Sequence, residues 1–121
     1  PMLLTAASNH RRGEEPSYLG RRWLRNLEDL IPLHQGYVEI VRRVAADTEA
    51  PLCDLAARFE ALGKEERDRS FSADGIHLTP HGDRLLADAL DACLEREGLW
   101  PALLQGSGPD GGDGSEARGA G

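Results

Sequence analysis

Asp74 and His77 stand three residues apart, separated by Gly75 and Ile76, and Leu78-Thr79-Pro80-His81-Gly82 follows at once. A side chain reaches its neighbour three places on when the chain turns between them. Glycine at 75 lowers the cost of that turn because it tolerates positive φ. With Ile76 directed into a core, Asp74 and His77 face the same way. A carboxylate that accepts from the Nδ1 of an imidazole fixes the tautomer and leaves Nε2 as a base. That is the acid-and-base half of a nucleophilic mechanism. An arbitrary Asp-x-x-His more often caps a turn beside a core histidine, so the spacing alone does not decide. His77 and His81 also stand four apart, a metal-ligand spacing when both lie on one helical face. Thr79 and Pro80 instead mark a helix start after His77, which separates the two histidines and argues against a metal centre.

No candidate nucleophile has a matching context. Ser8 and Asn9 follow an apolar run, in a loop that can border a pocket, but they carry no motif. Asp54 closes a second apolar run and is read as a cap of the next helix. His10 and His34 have no partner at a recognisable spacing, and Trp23 and Trp100 are read as packing groups.

The elements that must position these groups are legible in outline. Met2-Leu3-Leu4-Thr5-Ala6 reads as a short buried strand, although so short a run also suits a helix. Apolar residues at helical spacing predict a helix over 17–31, stopped by Pro32. A second helix is expected over 33–47, with Tyr37, Ile40, Val41, Val44 and Ala45 on its buried face. Pro51-Leu52-Cys53-Asp54-Leu55 reads as a second strand. A short helix over 56–62 ends at Gly63, and the charged stretch 64–72 forms an exposed loop or short helix. The last helix starts at Thr79 and Pro80, buries Leu85, Leu86, Ala89, Leu90, Cys93 and Leu94, and ends before Gly98. Trp100, Leu103 and Leu104 are expected to pack back on the domain. This order predicts an α/β fold of about two parallel strands with flanking helices. Two short strands make a poor sheet, so further strands from absent residues or a partner chain are expected at its open edge.

Length and composition bound the rest. The chain has 121 residues, room for one small domain. Seven of its 14 glycines fall after residue 105, so residues 1–104 are expected to fold and 105–121 to form a disordered tail. The net charge is −7, and basic residues alternate with acidic ones. The cluster Arg21, Arg22 and Arg25 shares its helix with Glu28 and Asp29, so a solvated face is expected and no nucleic acid partner. No run approaches a membrane span. Cys53 and Cys93 each lie in an apolar run and are expected to be buried free thiols. No signal peptide is visible. The chain opens on Pro1 rather than Met, which suggests that the true N-terminus lies upstream and leaves localisation undecided.

The stretch from Phe71 to Ala87, with Asp74-Gly75-Ile76-His77-Leu78-Thr79-Pro80-His81-Gly82 at its heart, resembles the last sequence block of the SGNH hydrolases, also called GDSL esterases/lipases. That block runs Asp-x-x-His-Leu-Thr, two residues, Gly, then a helix containing an Ala. Upstream, Met2-Leu3-Leu4-Thr5 looks like that family's fourth strand, and residues 37–45 with Leu52-Cys53-Asp54-Leu55 look like its next helix and strand. The resemblance covers about residues 1–98 and is specific only over the Asp74 block. It implies a three-layer α/β/α, flavodoxin-like SGNH fold, incomplete here, with His77 as general base and Asp74 as its orienting acid. It implies an ester substrate, such as an acetylated carbohydrate or a lipid, and no cofactor or metal. The family's serine sits in a Gly-Asp-Ser motif after a strand, and a Gly and an Asn from middle blocks build its oxyanion hole. This chain has no such blocks; Asp113-Gly114-Ser115 lies in the expected tail. The expectation is therefore half a catalytic machine, inactive alone. The rival expectation is a non-catalytic α/β remnant acting as an interaction or structural module.

Overall fold

The computed structural model describes residues 1–10 and 29–105. The expected helix over 17–31 falls mostly outside these, as do Trp23, the basic cluster and nearly all of the tail. Two strands, β1 (Leu3–Leu4) and β2 (Leu52–Cys53), pair in parallel with Leu3 opposite Leu52 and Leu4 opposite Cys53. Among the described residues the helices follow in the order α1 (Leu30–Asp47), α2 (Leu55–Glu60), α3 (Lys64–Ser70), α4 (Pro80–Arg96) and α5 (Trp100–Gln105). The described part is thus mixed α/β, mostly helical, around a two-stranded parallel sheet. None of its helices is long and apolar enough to cross a membrane.

The core lies between the sheet and α4. Cys53, Leu55, Ala89 and Cys93 are buried together, with Met2, Ala7, Leu86 and Leu90 packed on them. Phe59 of α2 and Phe71 meet edge to face, centroids 5.4 Å apart, and both are buried. The cysteines overturn one expectation. They are not free thiols: Cys53 and Cys93 form a disulfide with Cα atoms 5.7 Å apart. Both apolar runs point at the same core: α4 packs on β2, and its buried face brings Cys93 to Cys53.

Helix α1 corrects two further readings. Pro32 does not stop a helix. It sits in the first turn of α1, where a backbone N–H has no intrahelical acceptor and proline costs nothing. The buried face is also rotated. Of the expected face Ala45 is buried and Val41 half-buried, but Tyr37, Ile40 and Val44 are exposed and Val38, outside that face, is buried. With the exposed Leu33, those three exposed residues form one stripe at helical spacing. The helix is apolar on more than one side, and only one side meets the sheet.

The short helices follow local chemistry. Asp54 caps α2 by accepting from the Ala57 amide at 3.1 Å, as its position after β2 predicted. Gly63 is the N-cap of α3 with negative φ, not the left-handed end of α2. The residues read as an exposed loop or short helix form α3, three of whose last four residues, Arg67, Asp68 and Ser70, are at least half-buried. Trp100 is half-exposed and its indole N–H donates to Asp91 at 2.9 Å. Leu103 and Leu104 remain exposed rather than packing back, and Gln105 belongs to α5 rather than to the tail.

Helix α4 begins as the sequence dictates. Thr79 Oγ1 accepts from the Gly82 amide at 3.2 Å, and Pro80 takes the first helical position. Gly98 ends it with φ +64°. Glycine at 82 has a steric reason. A Cβ there would stand 2.0 Å from the Ser70 carbonyl oxygen, so α3 and α4 touch backbone to backbone. Gly82→Ala is expected to destabilise the fold by about 3 kcal/mol, the upper end for overpacking because the clash is with backbone. Urea unfolding of both proteins measures it; a change below about 1 kcal/mol would remove the argument that this contact sets the seat of α4.

Candidate active site

The turn that carries Asp74 and His77 is closed at its base. Phe71 and Leu78 form an antiparallel bridge, and the Ser72 amide donates to the His77 carbonyl at 2.8 Å. The Gly75 amide donates to the Ser72 carbonyl at 2.9 Å, and Gly75 has φ +70°. A Cβ at 75 would also meet the Asn9 carbonyl oxygen at 2.4 Å. Glycine therefore serves twice here, for the left-handed turn and for the close approach of the loop after β1. The Asn9 amide donates to the Gly75 carbonyl at 2.8 Å, and Asn9 Nδ2 donates to Asp68 at 3.0 Å. The turn is thus pinned to the carboxyl end of β1 and to α3.

Within it, Asp74 works as an anchor on both oxygens. Oδ1 accepts from the Ile76 amide at 2.9 Å, from the His77 amide at 3.0 Å, and lies 2.8 Å from the Ser72 hydroxyl. Oδ2 lies 2.5 Å from His77 Nδ1. The sequence placed these two side chains on one side of a Gly75 turn, and they meet. The His77 hydrogen bond first, then the two amides and the Ser72 hydroxyl, hold the Asp74 carboxyl well below the usual carboxylate range. The acid is ionised throughout the physiological range, so Nδ1 carries the proton and donates. Nε2 is then the basic nitrogen. The imidazole side chain is 69 % exposed, so it faces the surface rather than the core.

Ionisation of Asp74 has a measurable consequence. Its carboxyl is expected to remain charged at about pH 3, where an ordinary aspartate is already mostly protonated. A group whose folded pKa is depressed stabilises the fold above its unfolded value. That contribution is lost as pH falls through the folded value. Carboxyl carbon NMR shifts of Asp74 during acid titration check this. An ordinary midpoint near 3.9 would show that the turn does not hold the charge.

His81 does not join His77. Its Nε2 pairs with Glu66 Oε1 of α3 at 2.5 Å, so the helix start after Thr79 turns the two histidines to different partners. Asp54 is also committed to structure. It accepts from the Thr5 hydroxyl at 2.8 Å, from Arg42 Nε at 2.8 Å and from Ala57. Burial alone would raise its carboxyl, but these bonds outweigh it and hold the group below its ordinary value. Together Thr5, Asp54 and Arg42 tie β1, β2 and α1 at the carboxyl ends of the strands.

One grouping escaped the sequence. His10 and His34 meet edge to face with ring centroids 5.0 Å apart, and Ser8 Oγ lies 3.4 Å from His34 Nδ1. A serine beside a histidine suggests a nucleophile, but His34 Nε2 has no hydrogen-bond partner. Among the described residues no carboxylate is bonded to the ring, so there the pair has no third member of a relay. Sequence spacing offered no signal, because 26 positions separate Ser8 from His34.

No protein-family model, curated protein or solved structure matches this chain.

Proposed function

We propose that this chain is the C-terminal portion of a serine ester hydrolase of the SGNH type, supplying the base His77 and its orienting acid Asp74. The observation that carries the reading is the Asp74 Oδ2–His77 Nδ1 contact at 2.5 Å, on a turn that fixes the carboxylate with two further amides. The matching motif from Phe71 to Ala87 supports the family, and the parallel sheet with flanking helices is compatible with a three-layer α/β/α arrangement. In the complete mechanism His77 Nε2 takes the proton of a serine hydroxyl as the oxygen attacks an ester carbonyl. The imidazolium then protonates the departing alcohol. Water, deprotonated by the same nitrogen, releases the acid and restores the serine. The serine and the oxyanion donors come from outside this sequence, and no metal or cofactor enters.

A second reading, a non-catalytic module, draws on the stripe of Leu33, Tyr37, Ile40 and Val44 exposed on α1. A face of that kind is commonly covered by further structure. The same experiment separates the two. The 121-residue chain is expected to hydrolyse p-nitrophenyl acetate no faster than free imidazole does. The product of the whole gene, read from upstream of Pro1, is expected to turn it over. Turnover by the short chain that is abolished in His77→Ala would refute its incompleteness. An inert whole-gene product would favour the non-catalytic module.

A further inference from the structure

The Asp74–His77 pair lies open to water, since the imidazole side chain is 69 % exposed. Water there competes for every lone pair, so an orienting carboxylate keeps its aim only when protein donors hold it from more than one direction. Oδ1 of Asp74 has three such donors. The Ile76 and His77 amides come from the chain that follows the acid. The third, the Ser72 hydroxyl at 2.8 Å, comes from the chain that precedes it. Two amides on one side leave the carboxylate free to pivot about Oδ1. A donor from the other side stops the pivot and leaves Oδ2 aimed at His77 Nδ1.

The Ser72 hydroxyl has one proton and two acceptors in reach, Asp74 Oδ1 at 2.8 Å and the His77 carbonyl at 3.0 Å. That carbonyl already accepts from the Ser72 amide. The carboxylate is charged and nearer, and a charge-assisted bond is the stronger, so the proton goes to Asp74. After the His77 bond and the two amides, this hydroxyl is the last of the groups that hold the carboxyl below its ordinary range. A proton taken up by the imidazole then stays there instead of passing to the acid. The backbone of Ser72 serves the turn separately. Its N–H donates to the His77 carbonyl at 2.8 Å and its C=O accepts from the Gly75 amide at 2.9 Å. Both bonds survive replacement of the side chain, so the part played by the hydroxyl can be measured apart from the turn.

We propose that Ser72 is a positioning residue of the Asp74–His77 relay, whose hydroxyl holds the carboxylate so that Oδ2 stays on His77 Nδ1. For turnover this rests on the ester-hydrolase reading; for the state of Asp74 it rests on the turn alone.

The test compares Ser72→Ala and Ser72→Thr with the parent. In the 121-residue chain, carboxyl carbon NMR is expected to show a higher Asp74 titration midpoint in Ser72→Ala and a restored one in Ser72→Thr. The Ile76 and His77 amides should stay protected from hydrogen exchange in both. In the product of the whole gene, Ser72→Ala should lower kcat about ten-fold with KM unchanged, the size of one hydrogen bond to a charged group. Ser72→Thr should recover most of that loss, which a residue that only shaped the turn would have no reason to do. An Asp74 midpoint unmoved in Ser72→Ala overturns the proposal. So does full kcat in that variant where His77→Ala is inactive. Both results leave the hydrolase reading standing. Loss of amide protection in Ser72→Ala would make the hydroxyl a structural part of the turn and overturn the positioning role. A whole-gene product that is inert as the parent overturns the hydrolase reading and the effect on turnover with it, and the midpoint still decides whether Ser72 holds Asp74.

Discussion

Reducing the Cys53–Cys93 disulfide is expected to lower the stability of the fold by about 4 kcal/mol. The bond closes a loop with a sequence separation of 40, and the chain-entropy cost of leaving such a loop open in the unfolded ensemble is of that order. Few contacts in this molecule match it. The sheet has two residues per strand, and the buried cluster around the bond is small. A domain of this size has only about 5–10 kcal/mol in total. The bond ties the end of β2 to the buried face of α4, the helix whose start follows the Asp74–His77 turn. Losing it should therefore loosen the sheet first. The double variant Cys53→Ala/Cys93→Ala separates loss of the cross-link from exposure of two thiols. Both it and the reduced parent should unfold at markedly lower urea concentration, with the variant slightly the more stable. Equal midpoints for oxidised and reduced protein would show that the cross-link restrains nothing that the unfolded chain does not already restrain.

What was readable from the sequence was what is local. The Asp74–His77 contact, the Thr79 cap, proline at the first position of α4 and the left-handed Gly98 all depend on neighbours within four residues. Turn and cap chemistry is specified at that range. The parallel pairing of Leu3–Leu4 with Leu52–Cys53 was also foreseeable, because a strand–helix–strand order leaves few other solutions. What failed depended on distance. Val38 rather than Tyr37 is buried in α1 because a broadly apolar helix offers more than one face, and only its tertiary neighbours choose. The disulfide needs residues 40 positions apart to meet. The His10–His34 pair needs the loop after β1 to fold over α1. Pro32 misled for another reason. Its effect on a helix depends on its position within it, and the first turn tolerates what the middle forbids.

In the serine hydrolase proposed above, replacing His77 by Ala should abolish ester turnover, lowering kcat about a million-fold with little change in KM. Serine, base and acid act as a unit, so removing the base costs about as much as removing all three. Asp74→Asn should be milder, about a thousand-fold. The amide oxygen can still accept from the Ile76 and His77 amides, so the turn should persist. The amide –NH₂, however, faces Nδ1 as a donor and selects the tautomer with the proton on Nε2, where it cannot serve as base. The imidazole is mostly solvent-exposed, so water competes for both nitrogens and softens the loss relative to a buried triad. The double variant should then be no slower than His77→Ala alone, because an orienting acid with no base to orient contributes nothing. Measuring kcat for the two single variants and the double completes the cycle. Independent, additive losses would place Asp74 outside the relay and leave it as a structural turn residue. A His77→Ala enzyme that keeps more than about a hundredth of its kcat would remove His77 from the chemistry altogether.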